Sequence, residues 1–353
     1  MKYLSRFSKK DLSKEICILR VDLNLKSLSD FFRINAILPT IKFLLKRKAK
    51  ILILSHRGRP KANLKGERQK LSLRPIGKIL ARKLNRKVFF LPNFDFVKIK
   101  EQIVGSAPAS IFLLENLRFL KEEEANSSVL AQKLADLGDF YVNDAFAVSH
   151  RANASVAAIT EFLPSYSGLL LENELRNLSF VMRQPKKPFV VIIGGIKLDD
   201  KIGVIKNFKN KAGYFLFGSS VLNNENYIKK IKYLLKNKNY LLPIDGVQDK
   251  DYFYDIGRQT VEQYKKIIKN AKTIIWNGPV GMAENKKYSF GSAAIAKALV
   301  NSGAFTVIGG GETTNLIIKL KLQKKIGFLS TGGGAMLDFL AGKTLPGVAA
   351  IDK

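Results

Sequence analysis

The chain of 353 residues carries its chemically capable side chains at turns rather than inside its apolar runs. Gly309-Gly310-Gly311 and Gly332-Gly333-Gly334 each separate a β-rich apolar run from a helical stretch, and Gly194-Gly195 repeats that context. Glycine reaches backbone angles that side chains forbid and lets an anion approach bare N–H groups. Where those N–H groups open a helix, the helix dipole favours phosphate. One such turn is no more than a tight helix start; three in one half-chain point to a nucleotide site. The other half is loaded with arginine: 14 of the 15 arginines lie at or before Arg183, and only Arg258 lies beyond. Arginine grips carboxylates and phosphates in bidentate geometry, which lysine cannot match. Both histidines, His56 and His150, also fall in turns of that half.

Strands must hold these turns. Apolar β-rich runs at 16–23, 49–54, 87–91, 110–114 and 140–142 alternate with helical spacing at 33–47, 73–84 and 126–137. Further strand-like runs occupy 189–193, 214–217, 273–276, 305–308 and 325–329, and 335–340 opens an apolar helix. Alternation of this kind predicts an α/β fold with parallel sheets covered by helices on both faces. In such sheets ligands bind beyond the carboxyl ends of the strands. Asp22 and Asn24, then His56 and Arg59, then Arg118, then His150 and Arg151 sit at successive ends, a set suited to a small polyanion.

Composition bounds the reading. The length suggests two domains, and 46% apolar content supports real cores. No uncharged apolar run of about 18 residues exists, so no membrane partner is expected. The N-terminus lacks the apolar core of a secretion signal. The single cysteine, Cys17, rules out an intrachain disulfide and points to a reducing, cytoplasmic compartment. The net charge of +31 invites a nucleic-acid reading. The lysines are scattered over nearly every expected helix, however, and no nucleic-acid motif occurs. A solvated lysine surface and small anionic substrates fit better. A dinucleotide oxidoreductase is disfavoured, because no G-x-G-x-x-G follows the first strand.

Arg20-Val21-Asp22-Leu23-Asn24, Leu38-Pro39-Thr40-Ile41-Lys42, Ser55-His56-Arg57-Gly58-Arg59-Pro60, Leu113-Leu114-Glu115-Asn116-Leu117-Arg118-Phe119 and Tyr141-Val142-Asn143-Asp144-Ala145-Phe146 resemble phosphoglycerate kinases, in that family's order and spacing. The resemblance covers nearly the whole chain. It implies two Rossmann-like domains joined by a hinge helix. The first, 1–167 with a C-terminal return at 340–353, would bind 3-phosphoglycerate; the second, 168–339, includes the hinge helix and would bind nucleotide. It implies a substrate site of Asp22, Asn24, Arg33, His56, Arg59, Arg118 and Arg151. It implies a nucleotide site of Lys197, Lys201, Gly218, Asn277, Glu284, Gly311, Glu312 and Thr313, with Glu312 holding Mg²⁺. Arg33, Lys197, Gly332 and Gly333 would stabilise the phosphoryl group in flight.

Several positions depart from the family pattern. Arg57 and Asn153 differ on the substrate side, and Ile196, Asp199, Ser219, Ser220 and Glu312 on the nucleotide side. Asp199 adds negative charge near a polyanion, which would weaken binding unless it faces away. The implied reaction is glycolytic: reversible transfer of the 1-phosphoryl of 1,3-bisphosphoglycerate to Mg-ADP, giving 3-phosphoglycerate and ATP. A monomer without a nucleic-acid partner is expected. The alternative is a non-catalytic basic binding protein on the same fold.

Overall fold

The computed structural model describes residues 1–7, 11–25, 31–60, 66–236 and 238–352. They form two compact units, 1–173 with 344–353, and 174–343.

The first unit holds β1 (Ile16–Arg20), β2 (Lys50–Leu54), β3 (Val88–Leu91), β4 (Ile111–Leu114), β5 (Phe140–Asn143) and β6 (Ser165–Ser167). They form a parallel sheet in the order β3-β4-β2-β1-β5-β6. Side chains alternate across a strand, and here both faces are dry. Cys17, Leu19, Ile51 and Ile53 enter one core, while Ile16, Ile18, Leu52 and Leu54 enter the other. That two-sided burial explains runs with no polar alternation. Helix Phe32–Lys46 buries Ile34, Ile37, Ile41 and Leu44, the 3.6-residue stripe expected of it. Burying each such side chain contributes about 1.5–3 kcal/mol.

The second unit holds β7 (Phe189–Ile193), β8 (Tyr214–Phe217), β9 (Tyr240–Leu241), β10 (Gly246–Asp249), β11 (Tyr252–Ile256), β12 (Thr273–Asn277), β13 (Phe305–Gly309) and β14 (Phe328–Leu329). Six of them form a parallel sheet ordered β14-β13-β12-β7-β8-β9; β10 and β11 pair as an antiparallel hairpin, which the sequence did not announce. The strand expected at 325–329 shrinks to two residues, because Gln323–Lys325 turns as a 3-10 helix.

Helix Leu169–Arg183 is shared by the units. Its first N–H groups are held within the first unit: Leu169 N donates to Thr40 Oγ1 (3.1 Å), and Leu170 N and Leu171 N donate to Asp144 Oδ1 (2.8 and 3.1 Å). Glu174 is held within the second: its carboxylate accepts from Ser330 Oγ, Thr331 N and Thr331 Oγ1 at 2.6–2.8 Å. The division therefore falls inside the helix, not at its start near 168. The return begins at 344 rather than 340, since Asn207 Nδ2 holds the Leu340 carbonyl at 2.8 Å in the second unit. In the first unit, Asn143 Nδ2 donates to the Gly347 carbonyl (3.1 Å) and Gly347 N to the Ser149 carbonyl (2.9 Å). No helix among the described residues is long and apolar enough to cross a membrane.

Candidate active site

In the first sheet the strand order reverses between β1 and β5, so the loops after β1, β2, β4 and β5 open onto one crevice. Asp22 is buried after β1 and pairs with Arg33 from the adjoining helix. Its Oδ1 also accepts from Asn24 N at 2.9 Å. Asn24 Oδ1 accepts from Gly58 N at 2.8 Å, tying the β1 loop to the β2 loop. Arg118, after β4, donates to the Gly58 carbonyl at 2.5 Å and lies 3.2 Å from Glu124. Arg151, half-buried after β5, donates from Nε to His150 Nε2 at 3.3 Å. Arg59 is exposed beside this group.

His56 reports the convergence. It is 2% exposed, and its pKa lies well below the ordinary histidine value. Burial is the main cause, followed by repulsion from Arg20, Arg118, Arg33 and Arg151. His56 is therefore neutral at pH 7. Its Nδ1 lies 3.3 Å from an Arg20 nitrogen, and a guanidinium only donates, so the ring proton belongs on Nε2. Arg20 was missed by sequence reasoning, although it stands in a quoted motif. It is buried, donates from Nε to Ser155 Oγ (2.8 Å) and lies 3.7 Å from Glu123. It fixes the imidazole from behind.

In the second sheet the order reverses between β7 and β12. Their loops lie back to back: Gly194 N donates to the Asn277 carbonyl (3.0 Å) and Gly195 N to the Pro279 carbonyl (2.7 Å). A Cβ on Gly194 would strike the Pro279 carbonyl, so only glycine fits. Gly310 adopts φ +96°, and Asn277 Nδ2 and Thr313 Oγ1 each lie 3.6 Å from where its Cβ would be. Both atoms are buried without a hydrogen-bond partner. An unsatisfied buried polar atom costs about 1–3 kcal/mol. Helix Gly311–Lys319 starts here, and its first N–H groups have no intrahelical acceptor. Open donors from two loops thus surround one spot, as an anion requires.

Lys201 is buried, 3.6 Å from the Cβ position of Gly195, and donates to the Lys197 carbonyl at 2.9 Å. Burial lowers its pKa, opposed by Asp200 and Glu312. Lys197 itself is exposed. Gly332 N is held by Ser330 Oγ (3.0 Å), while Gly333 (φ +51°) has no atom within 4 Å of its Cβ position. Asp199 faces Lys230 Nζ at 2.7 Å and Tyr227, so its charge is answered locally.

A cavity of about 50 Å³ adjoins these loops, lined by Gly195, Ser219, Ser220, Val280, Glu284 and Glu312 among others. Gly218 packs against the backbone of Val280, one of the lining residues. Ser220 Oγ donates to the Gly195 carbonyl at 2.8 Å and narrows the slot. The unannounced hairpin supplies its outer wall through Tyr252, Phe253 and Tyr254. Asn223 clamps that wall, exchanging two 2.8 Å bonds with the Phe253 backbone. Among the described residues no cluster of three or more His, Cys, Asp or Glu could hold a metal unaided. A lone carboxylate at Glu312 fits Mg²⁺ that arrives on phosphates, since Mg²⁺ is usually held by one or two carboxylates plus phosphate oxygens and water.

A guanidinium-lined crevice and a phosphate-ready glycine crevice, each on its own parallel sheet, define a two-unit α/β nucleotide-binding protein. Residues 7–232 and 222–343 match the family model of phosphoglycerate kinase. The chain is 38% identical to the phosphoglycerate kinase of Pseudothermotoga lettingae, over 97% of this chain and 96% of that one. It is also 38% identical to that of Dictyoglomus turgidum, with the same coverage. Among solved structures, phosphoglycerate kinase from Pyrococcus horikoshii OT3 superposes with a TM-score of 0.88 at 28% identity, covering 100% of this chain and 98% of that one. The enzyme from Coxiella burnetii gives 0.82 at 32%, covering 99% and 98%. The chain belongs to the phosphoglycerate kinase family.

Proposed function

We propose that the protein transfers the 1-phosphoryl group of 1,3-bisphosphoglycerate to Mg-ADP, reversibly, giving 3-phosphoglycerate and ATP. The observation that carries this is that each unit has its own anion-ready crevice at the carboxyl end of its own sheet. Arg33, Arg59, Arg118 and Arg151 would hold the acid substrate's phosphate and carboxylate, with Asp22 and Asn24 fixing the loops and its hydroxyl. His56, neutral, would donate from Nε2. Lys201 and the N–H groups at Gly311–Thr313 would hold nucleotide phosphates, Asn277 would bridge to them, and Glu284 would accept from the ribose. Glu312 would hold Mg²⁺, which supplies charge neutralisation on the phosphates.

The attacking group, the terminal phosphate of ADP in this direction and the carboxylate of 3-phosphoglycerate in the reverse one, is already ionised at neutral pH, so no general base is required. Catalysis rests on alignment and on neutralising charge during in-line transfer. Arg33, Lys197 and the backbone of Gly332 and Gly333 would meet that charge, which requires the two substrates to be brought together by closure. Lys197, exposed and mobile on its stem, is suited to arrive at that stage.

The test is a coupled assay with 3-phosphoglycerate, ATP and Mg²⁺, run beside Arg33→Ala. Turnover reduced at least 100-fold in the variant is expected. Folded protein that binds 3-phosphoglycerate without turnover would move the assignment to a non-catalytic binding protein.

A further inference from the structure

The first unit has a second cavity at the carboxyl ends of β3 and β4, of about 620 Å³, outside the crevice described above. Small-molecule pockets run from about 300 to 1,000 Å³, so its size suits a small organic ligand. Its walls combine two arginines, Arg68 and Arg74, with the rings of Phe94 and Phe119 and the amide of Asn93. The Arg68 guanidinium lies over the Phe119 ring at 5.6 Å, and that of Arg74 over Phe90 at 4.6 Å. No carboxylate lies within salt-bridge distance of either among the described residues. Unpaired cations are common in a chain of charge +31, so that alone decides nothing. Their placement over rings at the edge of one cavity adds to it, because a guanidinium confined against a ring loses less freedom when it binds an anion.

The wall between them is preorganised. Glu115 is the one acid at the cavity, and its carboxylate is spent on Ser72 Oγ (2.6 Å), Leu73 N (2.9 Å) and Asn116 N (2.7 Å). Arg57 also donates to the Ser72 carbonyl at 3.2 Å, and Asn116 Nδ2 to that of Leu71 at 3.0 Å. The acid thus builds the wall and does not neutralise the arginines. Anion-binding forks beside aromatic and proline surfaces call for a ligand with both characters.

We infer that this cavity binds a small anion carrying an aromatic body, an aryl or nucleoside phosphate in chemical class, with its phosphate on Arg68 and Arg74 and its ring against Phe94 and Phe119. The inference does not depend on the proposed catalytic activity. Calorimetric titration of the full chain, saturated with 3-phosphoglycerate and Mg-ADP, with phenyl phosphate should give one saturable equivalent. Inorganic phosphate should bind at least tenfold more weakly. Binding should fall at least tenfold in Arg68→Ala/Arg74→Ala and also in the charge-conserving Arg68→Lys/Arg74→Lys, with 3-phosphoglycerate affinity unchanged in both. Arg33→Ala, titrated without the two other ligands, should retain the equivalent, which separates this site from the substrate crevice. No saturable binding, equal affinity for both probes, or binding indifferent to the arginine substitutions would each overturn the assignment.

Discussion

Burial is what chiefly sets the charge of single side chains here. Asp144 caps the shared helix while fully buried, and burial raises its pKa to about 6 despite its bonds to Thr40, Leu171 and Leu170. A raised carboxyl pKa means the folded state binds the proton more readily than the unfolded chain. The stabilisation from that proton is complete below the unfolded value near 4 and is lost as pH climbs through about 6. Asp144→Asn removes the penalty of a buried charge. Relative to wild type, the variant should gain about 1–1.5 kcal/mol between pH 5 and pH 8. Urea midpoints at the two pH values check this, and a difference that does not change with pH would refute it. His56 works in the opposite sense. Its depressed pKa gives stability that is present above the unfolded value near 6.5 and lost as pH falls below it, so His56→Gln should flatten the acid limb below pH 6.5.

At the scale of elements, loops are positioned by contacts that span long stretches of sequence. Glu174 anchors the Ser330–Thr331 turn with three hydrogen bonds from inside a helix. Glu174→Ala would orphan several buried donors, at a cost of about 2–4 kcal/mol. It should lower kcat at least tenfold with little change in KM for 3-phosphoglycerate; an equal rise in that KM would show a global rather than local effect. Gly194→Ala should force apart the loops after β7 and β12. A rise of at least tenfold in KM for ATP is expected in steady-state kinetics. The sequence made the strand ends legible because each apolar run stops where polar residues begin, as at Leu54 before His56. The hairpin β10–β11 stayed hidden because Gly246, Val247, Gln248 and Asp249 are half-buried or exposed and show no apolar alternation. Arg20 stayed hidden for another reason. Its partner Ser155 lies 135 residues away, and no local pattern marks such a pair. Nor does any local pattern show that Asp199 pairs with Lys230, which enters from a different helix.

For the whole molecule, charge is the dominant global property. A net charge of +31 gives a positive field that favours the approach of anions. With a Debye length of about 10 Å at 0.1 M salt, that attraction is strongly screened in ordinary buffers. Raising NaCl from 20 to 300 mM should therefore lower kcat/KM for 3-phosphoglycerate several-fold while leaving kcat within twofold, as stopped-flow or initial-rate measurements would reveal. Salt-independent kcat/KM would mean that the lysines serve solubility alone.

The return of residues 344–353 to the first unit has a consequence for how the protein is born. A ribosome delivers residue 173 long before residue 344, so the first unit must wait, unfinished, while the entire second unit is synthesised. During that wait Asn143 lacks its Gly347 acceptor, and Ser149, beside His150 and Arg151, lacks its backbone donor. A chain stopped between residues 343 and 347 would hold a whole second unit and a first unit without these two bonds. The two bonds from Gly347 thereby mark a first unit whose returning segment has already been made.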